Sequence, residues 1–297
     1  MSFTAINLDR LPAPQIIEQP DFETIFAARK ARLIELAPHL APALELESEP
    51  LVQALQEDSY RELLLRAAIQ DAGKGSLLAF ASGAMLEHLA ALYGVARQVV
   101  QEADDTVSPP VEEILEDDDR LRRRVQLAPE GFTTAGSEGS YIFWALSASA
   151  EVKDVAISSP SPKHVTIAVL SREGDGTPGQ ELLDQVDAET QPRRPLTDLV
   201  EVEPADVVTY ELHAVLTLFH GPDAEVVRAA AETALRAYVG EHHQLGHDIT
   251  IAGLHAALWQ SGVQNIDLGA FTDDLIVAPN QAAHCSNLTV TVGGRDV

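Results

Sequence analysis

Apolar positions recur near every 3.6 residues in the first third of the chain and near every second residue in much of its second half. Phe22, Ile25, Phe26, Leu33 and Leu36 form a stripe that predicts a helix capped by Asp21 and ended by Pro38 and Pro42. Leu51, Leu55, Leu63 and Leu64 predict a second helix from Pro50, suited to a first turn, to Ala72, with Gly73 as its stop. The apolar run Ser76 to Tyr93, which includes Leu77, Leu78 and Leu86, predicts a third helix ended by Gly94. The second and third helices share a short connection and are expected to form an antiparallel hairpin. Two helices cannot mutually cover both apolar faces. Either partner helices or the rest of the chain must cover them, and Leu51, Leu55, Leu63, Leu64, Leu77, Leu78 and Leu86 are the candidate partner-facing residues.

Around this helical region the pattern is less regular. Pro12, Pro14 and Pro20 make residues 1–20 an extended arm, either disordered or laid against a partner. Residues 96–110 read as an extended linker. The stretch EEILEDDDRLRRRVQLA reads as an acidic helix whose i,i+4 pairs, Glu116–Arg120, Asp118–Arg122 and Asp119–Arg123, predict a salt-bridged surface. Gly131, Gly136 and Gly139 then precede helix-like spacing at Tyr141, Ile142, Trp144, Ala145 and Leu146, which reads as a hinge.

From Val152 onward strands and helices alternate. Val152–Ile157 and Val165–Leu170 predict strands joined by a Ser/Pro turn, followed by a Gly-Asp-Gly turn, a helix near Gln180–Ala188 and a strand near Leu199–Glu203. After Pro204, Tyr210, Leu212, Ala214, Leu216 and Leu218 alternate as one strand face. Gly221-Pro222-Asp223 breaks it, helices to about His242 and over Ile251–Gln260 follow, and Val263–Leu268 and NLTVTV predict further strands. The predicted fold is multidomain α+β. A helical region (1–95) and a linker, acidic helix and Gly-rich hinge (96–150) precede two small α/β sandwich-like domains (151–204 and 205–297) that resemble one another in pattern.

Charge narrows the function classes. Among 297 residues, 46 are acidic and 20 basic, a formal charge of −26. Such a surface repels phosphate backbones and anionic membrane faces, so direct nucleic-acid or membrane binding is not expected. Cys285 is the only cysteine, which excludes an intramolecular disulfide and fits a reducing compartment. The N-terminus lacks a basic segment followed by an apolar run, so no signal peptide is expected.

Candidate chemistry is sparse. The glycines at 131–139 follow a helical pattern and lack a Gly-Lys-Ser/Thr, and Lys74 in AGKGS lacks the glycine spacing of a phosphate loop. Their better reading is close packing where the chain turns. His242, His243 and His247 in GEHHQLGHD could hold a metal only if His243 and His247 shared a helical face, and Gly246 is expected to end the helix first. Cys285 has only His284 beside it in sequence as a candidate base. No catalytic residue, metal site or cofactor is expected.

GFTTAGSEGSY (131–141), the SPSP turn (159–162) and VTIAVLSREGDGTP (165–178) resemble the central part of the baseplate assembly protein J family of contractile-tailed phages and R-type phage-tail-like bacteriocins. LPAP (11–14), DFE (21–23), LESEP (46–50) and YREL (60–63) are similar to its N-terminal part. RPLTD (194–198), GPDAEVVRAAAE (221–232), LGHDIT (245–250) and GLHAALWQSGVQ (253–264) continue it in order, with His247 where the pattern usually carries arginine. The resemblance implies a structural, non-catalytic wedge protein of a tail baseplate, assembled in the bacterial cytoplasm. It implies that two copies join a partner wedge subunit through a helical core bundle, near the sheath initiator, hub and spike. The readings left beside it are a stand-alone acidic binding module and an enzyme with an unrecognised acidic site.

Overall fold

At the start of α1 (Phe22–Leu36) the Asp21 carboxylate accepts from Thr24 N at 2.7 Å, satisfying one of the free donors of the first turn. The computed structural model describes residues 6–221 and 223–296. Pro222 and the first five residues of the expected arm lie outside the described residues. Two units are present, one within Thr4–Ala96 and Asp117–Val125, the other within Arg97–Glu116 and Gln126–Val297.

In the helical unit α1 lies along α2 (Pro50–Gly75). Arg29 Nη2 donates to Glu62 Oε2 at 2.8 Å, and Arg66 Nε donates to the other Glu62 oxygen at 2.9 Å. The inner face of α2 carries buried Val52, Ser59 and Gln70. Gln70 decides the fate of the arm. Its Oε1 accepts from Ile16 N at 2.8 Å and Ile17 N at 3.3 Å, and its Nε2 donates to Pro14 O at 2.7 Å. The arm expected to be disordered or laid on a partner is therefore docked, over its described residues, on this chain's own α2. Gly73 makes room for it, since a Cβ there would lie 2.7 Å from Ile16 Cγ1.

The expected third helix is shorter than its apolar run. α2 continues to Gly75, Ser76–Ser82 is a turn, and only α3 (Gly83–Ala91) is helical. Ser76 Oγ donates to Gly73 O at 2.7 Å, closing α2. Arg122 Nε donates to Leu78 O at 2.9 Å and its Nη2 to Ala81 O at 2.8 Å, taking carbonyls that a continuous helix would use internally. Asp118 Oδ2 accepts from Gly83 N at 3.0 Å, at the start of α3. The expected α2–α3 hairpin is corrected accordingly: the helix that α2 lies along is α1, and Asp118 and Arg122 tie the turn and α3 to α4 (Asp118–Leu127).

α4 carries an ion pair, Arg122 with Asp119, in keeping with the expected salt-bridged helix surface, but part of that surface is turned inward. The helix begins at Asp118 rather than near Glu112, and Glu116, Arg120 and Arg124 are buried. Arg124 Nη1 donates to Ala96 O at 3.1 Å. The Arg122 and Arg124 guanidiniums bind backbone carbonyls, work that their five fixed donors suit.

In the sheet-bearing unit the expected linker contains a small ribbon. β1 (Val99–Gln101) pairs antiparallel with β2 (Ile114–Leu115), and Gln98 N donates to Glu116 Oε2 at 2.9 Å. The expected hinge helix, α5 (Glu138–Ala148), is almost wholly buried and packs on β3 (Val152–Ser158). A boundary at 151 would part this helix from the sheet it covers. β3 pairs antiparallel with β4 (His164–Ser171), placing Val155 opposite Val169. After α6 (Gln180–Thr190), which also packs on α5, β5 (Leu199–Pro204) returns parallel to β4. Ile167 to Ser171 are buried without alternation, as expected of a central strand covered on both faces.

The second sheet has β6 (Asp206–Phe219) at its centre, antiparallel to β7 (Val263–Asp267) and parallel to β8 (Gln281–Asp296). Leu212, Ala214, Leu216 and Leu218 are buried, as their alternation predicts, beneath α7 (Ala224–His242) and α8 (Ile251–Leu258). Both sheets therefore place one antiparallel and one parallel neighbour beside a central strand. Their chain order differs: β3 precedes its centre, whereas β7 and β8 both follow theirs. Leu170, Ala205, Leu245 and Ala282 form one apolar cluster where the sheets meet, and Asp154 Oδ2 accepts from Leu245 N at 3.1 Å beside it. No helix among the described residues is long and apolar enough to cross a membrane.

Candidate functional site

α2 is 26 residues long and has two apolar sides, but α1 and the arm occupy only one. On the other side Leu64, Leu65, Ala68, Ile69 and Ala72 lie at i, i+1, i+4, i+5 and i+8, one face of its C-terminal turns. Leu64 is 49% exposed, Leu65 65% and Ile69 50%. The Arg61–Glu57 ion pair borders this face toward the N-terminus of the helix. Contiguous exposed apolar surface on a charged protein marks a place of association.

The seven candidate leucines do not form one surface. Leu64 and Leu77 are exposed, whereas Leu51, Leu55, Leu63 and Leu78 are half-buried within the unit. Leu86 is fully buried at 0% exposure and presents nothing outward. Leu65 and Ile69 were missed in the sequence, although they stand one helical turn apart. Their signal was present in the spacing and was masked by Leu63 beside them, which turns inward.

The histidines separate. α7 ends at His242, so His243 is already outside the helix, and Gly246 at φ +69° turns the chain before His247. His243 Nδ1 is 2.8 Å from Ala283 O, and burial together with Lys153 holds its pKa below the ordinary value. His242 stacks on Tyr238 with ring centroids 4.0 Å apart. Among the described residues no three potential metal ligands converge. Burial raises the Cys285 thiol pKa, the opposite of an activated nucleophile.

The Gly-rich segment and the RPLTD segment meet. Tyr141 OH donates to Asp198 Oδ2 at 2.7 Å, and burial followed by this carboxylate raises the phenol pKa. Gly136, at φ +68°, lies against Pro195, where a Cβ would come within 2.6 Å of its ring. Arg193 stacks over Trp144 at 4.2 Å. Ser137 Oγ accepts from Ser140 N at 3.3 Å, using a donor that a bound anion would need. Packing accounts for these glycines.

A strongly acidic chain of small sheets and a helix with an uncovered apolar side is built as a subunit of an assembly. Its relatives say which kind. Residues 47–104 match the Baseplate J-like N-terminal domain and residues 133–204 the Baseplate J-like central domain. The chain is 42% identical over 298 residues to baseplate protein J of Escherichia phage P2, covering 98% of this chain and 99% of that protein. It belongs to the baseplate J-like family, structural proteins of the phage tail baseplate. A chain in the cryo-EM structure of the anti-feeding prophage baseplate, 6-fold symmetrised, aligns with a TM-score of 0.41 and 13% identity. That alignment covers 61% of this chain and 46% of the other.

Proposed function

We propose that the protein is a wedge component of a contractile-tail baseplate, and that the outer face of α2 receives a helix of the partner wedge subunit. The relationship to baseplate protein J over nearly the whole chain carries the reading, and the uncovered Leu64–Leu65–Ile69 face supports it. In this reading a second copy of the chain joins the same wedge. The sheet-bearing unit reaches neighbouring wedges, closing a ring around the hub and spike beside the sheath initiator. Assembly takes place in the bacterial cytoplasm, and the role calls for no catalytic residue, cofactor, nucleic acid or membrane. The 46 acidic residues favour a partner with a basic rim, because complementary charge speeds encounter and fixes orientation.

Full burial of a leucine or isoleucine is worth about 1.5–3 kcal/mol, so three half-exposed side chains leave roughly 2–4 kcal/mol to be gained on docking. Leu65→Asp and Ile69→Asp should abolish co-purification with the partner wedge subunit, because docking would bury an unpaired charge. Thermal unfolding of the free protein should hardly change, as these side chains touch little of their own chain. Normal assembly by both variants would remove this face from the wedge interface. Leu55 and Leu78 are poorer probes, since both are half-buried within their own unit.

A further inference from the structure

The ribbon of β1 and β2 is apolar where a solvated hairpin would be polar. Val99, Val100, Ile114 and Leu115 are all exposed, and so is Val107 in the loop that joins the strands. Val99 stands opposite Leu115 and Gln101 opposite Ile114, which leaves Val100 as the extra residue of a bulge. Successive side chains of a strand point to opposite faces, so Ile114 and Leu115 put apolar groups on both faces of the ribbon. The two strands form a sheet of their own, with no third strand on either edge among the described residues.

The root of this ribbon is fixed. Gln98 Nε2 donates to Ser147 O of α5 at 2.8 Å, and Glu116 N donates to Gln98 O at 2.9 Å. Toward the loop, Asp104 N and Val111 N each donate to the other residue's carbonyl at 2.9 Å. An isolated two-stranded hairpin is marginal in water, and this one is held in place while its apolar side chains stay wet.

Its charge has one sign. Residues 98–116 contain no lysine or arginine. Glu102, Asp105, Glu112 and Glu113 are exposed and form no ion pair among the described residues. Carboxylates beside an open edge oppose pairing with a like strand. A second copy, with 46 acidic and 20 basic residues, would bring charge of the same sign.

We propose that the ribbon is a tongue that enters an apolar cleft, rimmed by lysine or arginine, on a different subunit of the tail. A tongue accounts for apolar groups on both faces, because a partner resting on one face would leave the other in water. The basic rim pairs with the four carboxylates, and a strand in the cleft wall can take the hydrogen-bonding groups of an open edge. The partner's place in the tail rests on the baseplate reading above, whereas the chemistry of the ribbon does not depend on the outer face of α2.

The test puts photoreactive p-benzoylphenylalanine in place of Val100 and, separately, of Val107 in the full chain, and irradiates assembled tails. An adduct on a different tail protein is expected. That protein, once purified, should bind the full chain. The double variant Glu102→Lys/Glu113→Lys should slow this association about tenfold or more at low salt, and less as salt rises. Ile114→Thr keeps a β-branched side chain and should weaken the complex by about tenfold, through lost apolar burial. Thermal unfolding of the free chain should not move in either variant, since the replaced side chains are exposed. No adduct from either position in tails that contain the chain, an adduct on this chain itself, or an association rate indifferent to the two glutamates would each overturn the proposal. Absence of the chain from the tails would overturn the baseplate reading along with it, which incorporation without an adduct does not.

Discussion

Replacing Gln70 with alanine should release the N-terminal arm without unfolding the helices beneath it. Gln70 is 7% exposed and makes three bonds to the arm: from Ile16 N at 2.8 Å, from Ile17 N at 3.3 Å, and to Pro14 O at 2.7 Å. A released arm becomes hydrated, so the cost is the net value of these bonds rather than the penalty for stranded polar atoms. At roughly 0.5–1.5 kcal/mol per bond, with the long one weakest, the clamp contributes about 2 kcal/mol. Ile16 is about half-buried and adds roughly 1 kcal/mol. Arg66 Nη1 donates to Glu18 O at 3.0 Å in a more exposed place and adds less. Losing about 2 kcal/mol corresponds to an opening equilibrium roughly thirtyfold more populated. Hydrogen exchange resolved to single amides should therefore show Ile16 and Ile17 exchanging about thirty times faster in Gln70→Ala, with the amides of α1 and α2 unchanged. If these two amides exchange at the free-peptide rate in the wild type, or are indifferent to the substitution, the clamp does not exist as described.

Leu86→Ala should destabilise the helical unit by about 2–5 kcal/mol, the range for deleting a fully buried leucine, and leave the transition of the sheet-bearing unit in place by calorimetry. The Glu62 pKa is lowered from its ordinary 4.5, first by Arg29 and then by Arg66, so its stabilising effect is present above that value and is lost as pH falls through the lower folded one. The difference in melting temperature between wild type and Glu62→Gln should therefore shrink on acidification below pH 4.5, and a difference that grew would refute the assignment.

Local signals were the most legible in the sequence. Asp21 capped its helix, and Leu212, Ala214, Leu216 and Leu218 alternated inward, because each signal needs only its neighbours and one covered face. Long-range partners were not legible. Arg122 takes the carbonyls of Leu78 and Ala81 from 44 and 41 residues away, which turns part of an apolar helical pattern into a loop. Gln70 likewise gave no sign that it would hold residues more than 50 positions earlier. The candidate partner face was half legible. Helical period separated the two sides of α2, but only the docking of α1 and the arm decided which side stayed open.

The few basic residues explain how so acidic a chain holds together. Arg29 and Arg66 converge on Glu62 between α1 and α2, and Arg122 and Arg124 hold carbonyls within the helical unit. Arg193 stacks on Trp144, and Arg228 and Arg236 share Glu232 on α7. Arg29, Arg122, Arg124 and Arg193 each work at a joint between elements, and Arg236 braces one helix. The excess of carboxylates is left to the surface, where repulsion between copies opposes indiscriminate association and is screened by salt. In the proposed wedge, this repulsion protects the exposed apolar face of α2 until its partner arrives. Charge and apolar surface then serve one end: the first restrains encounter to partners of suitable sign, and the second supplies the energy once they meet.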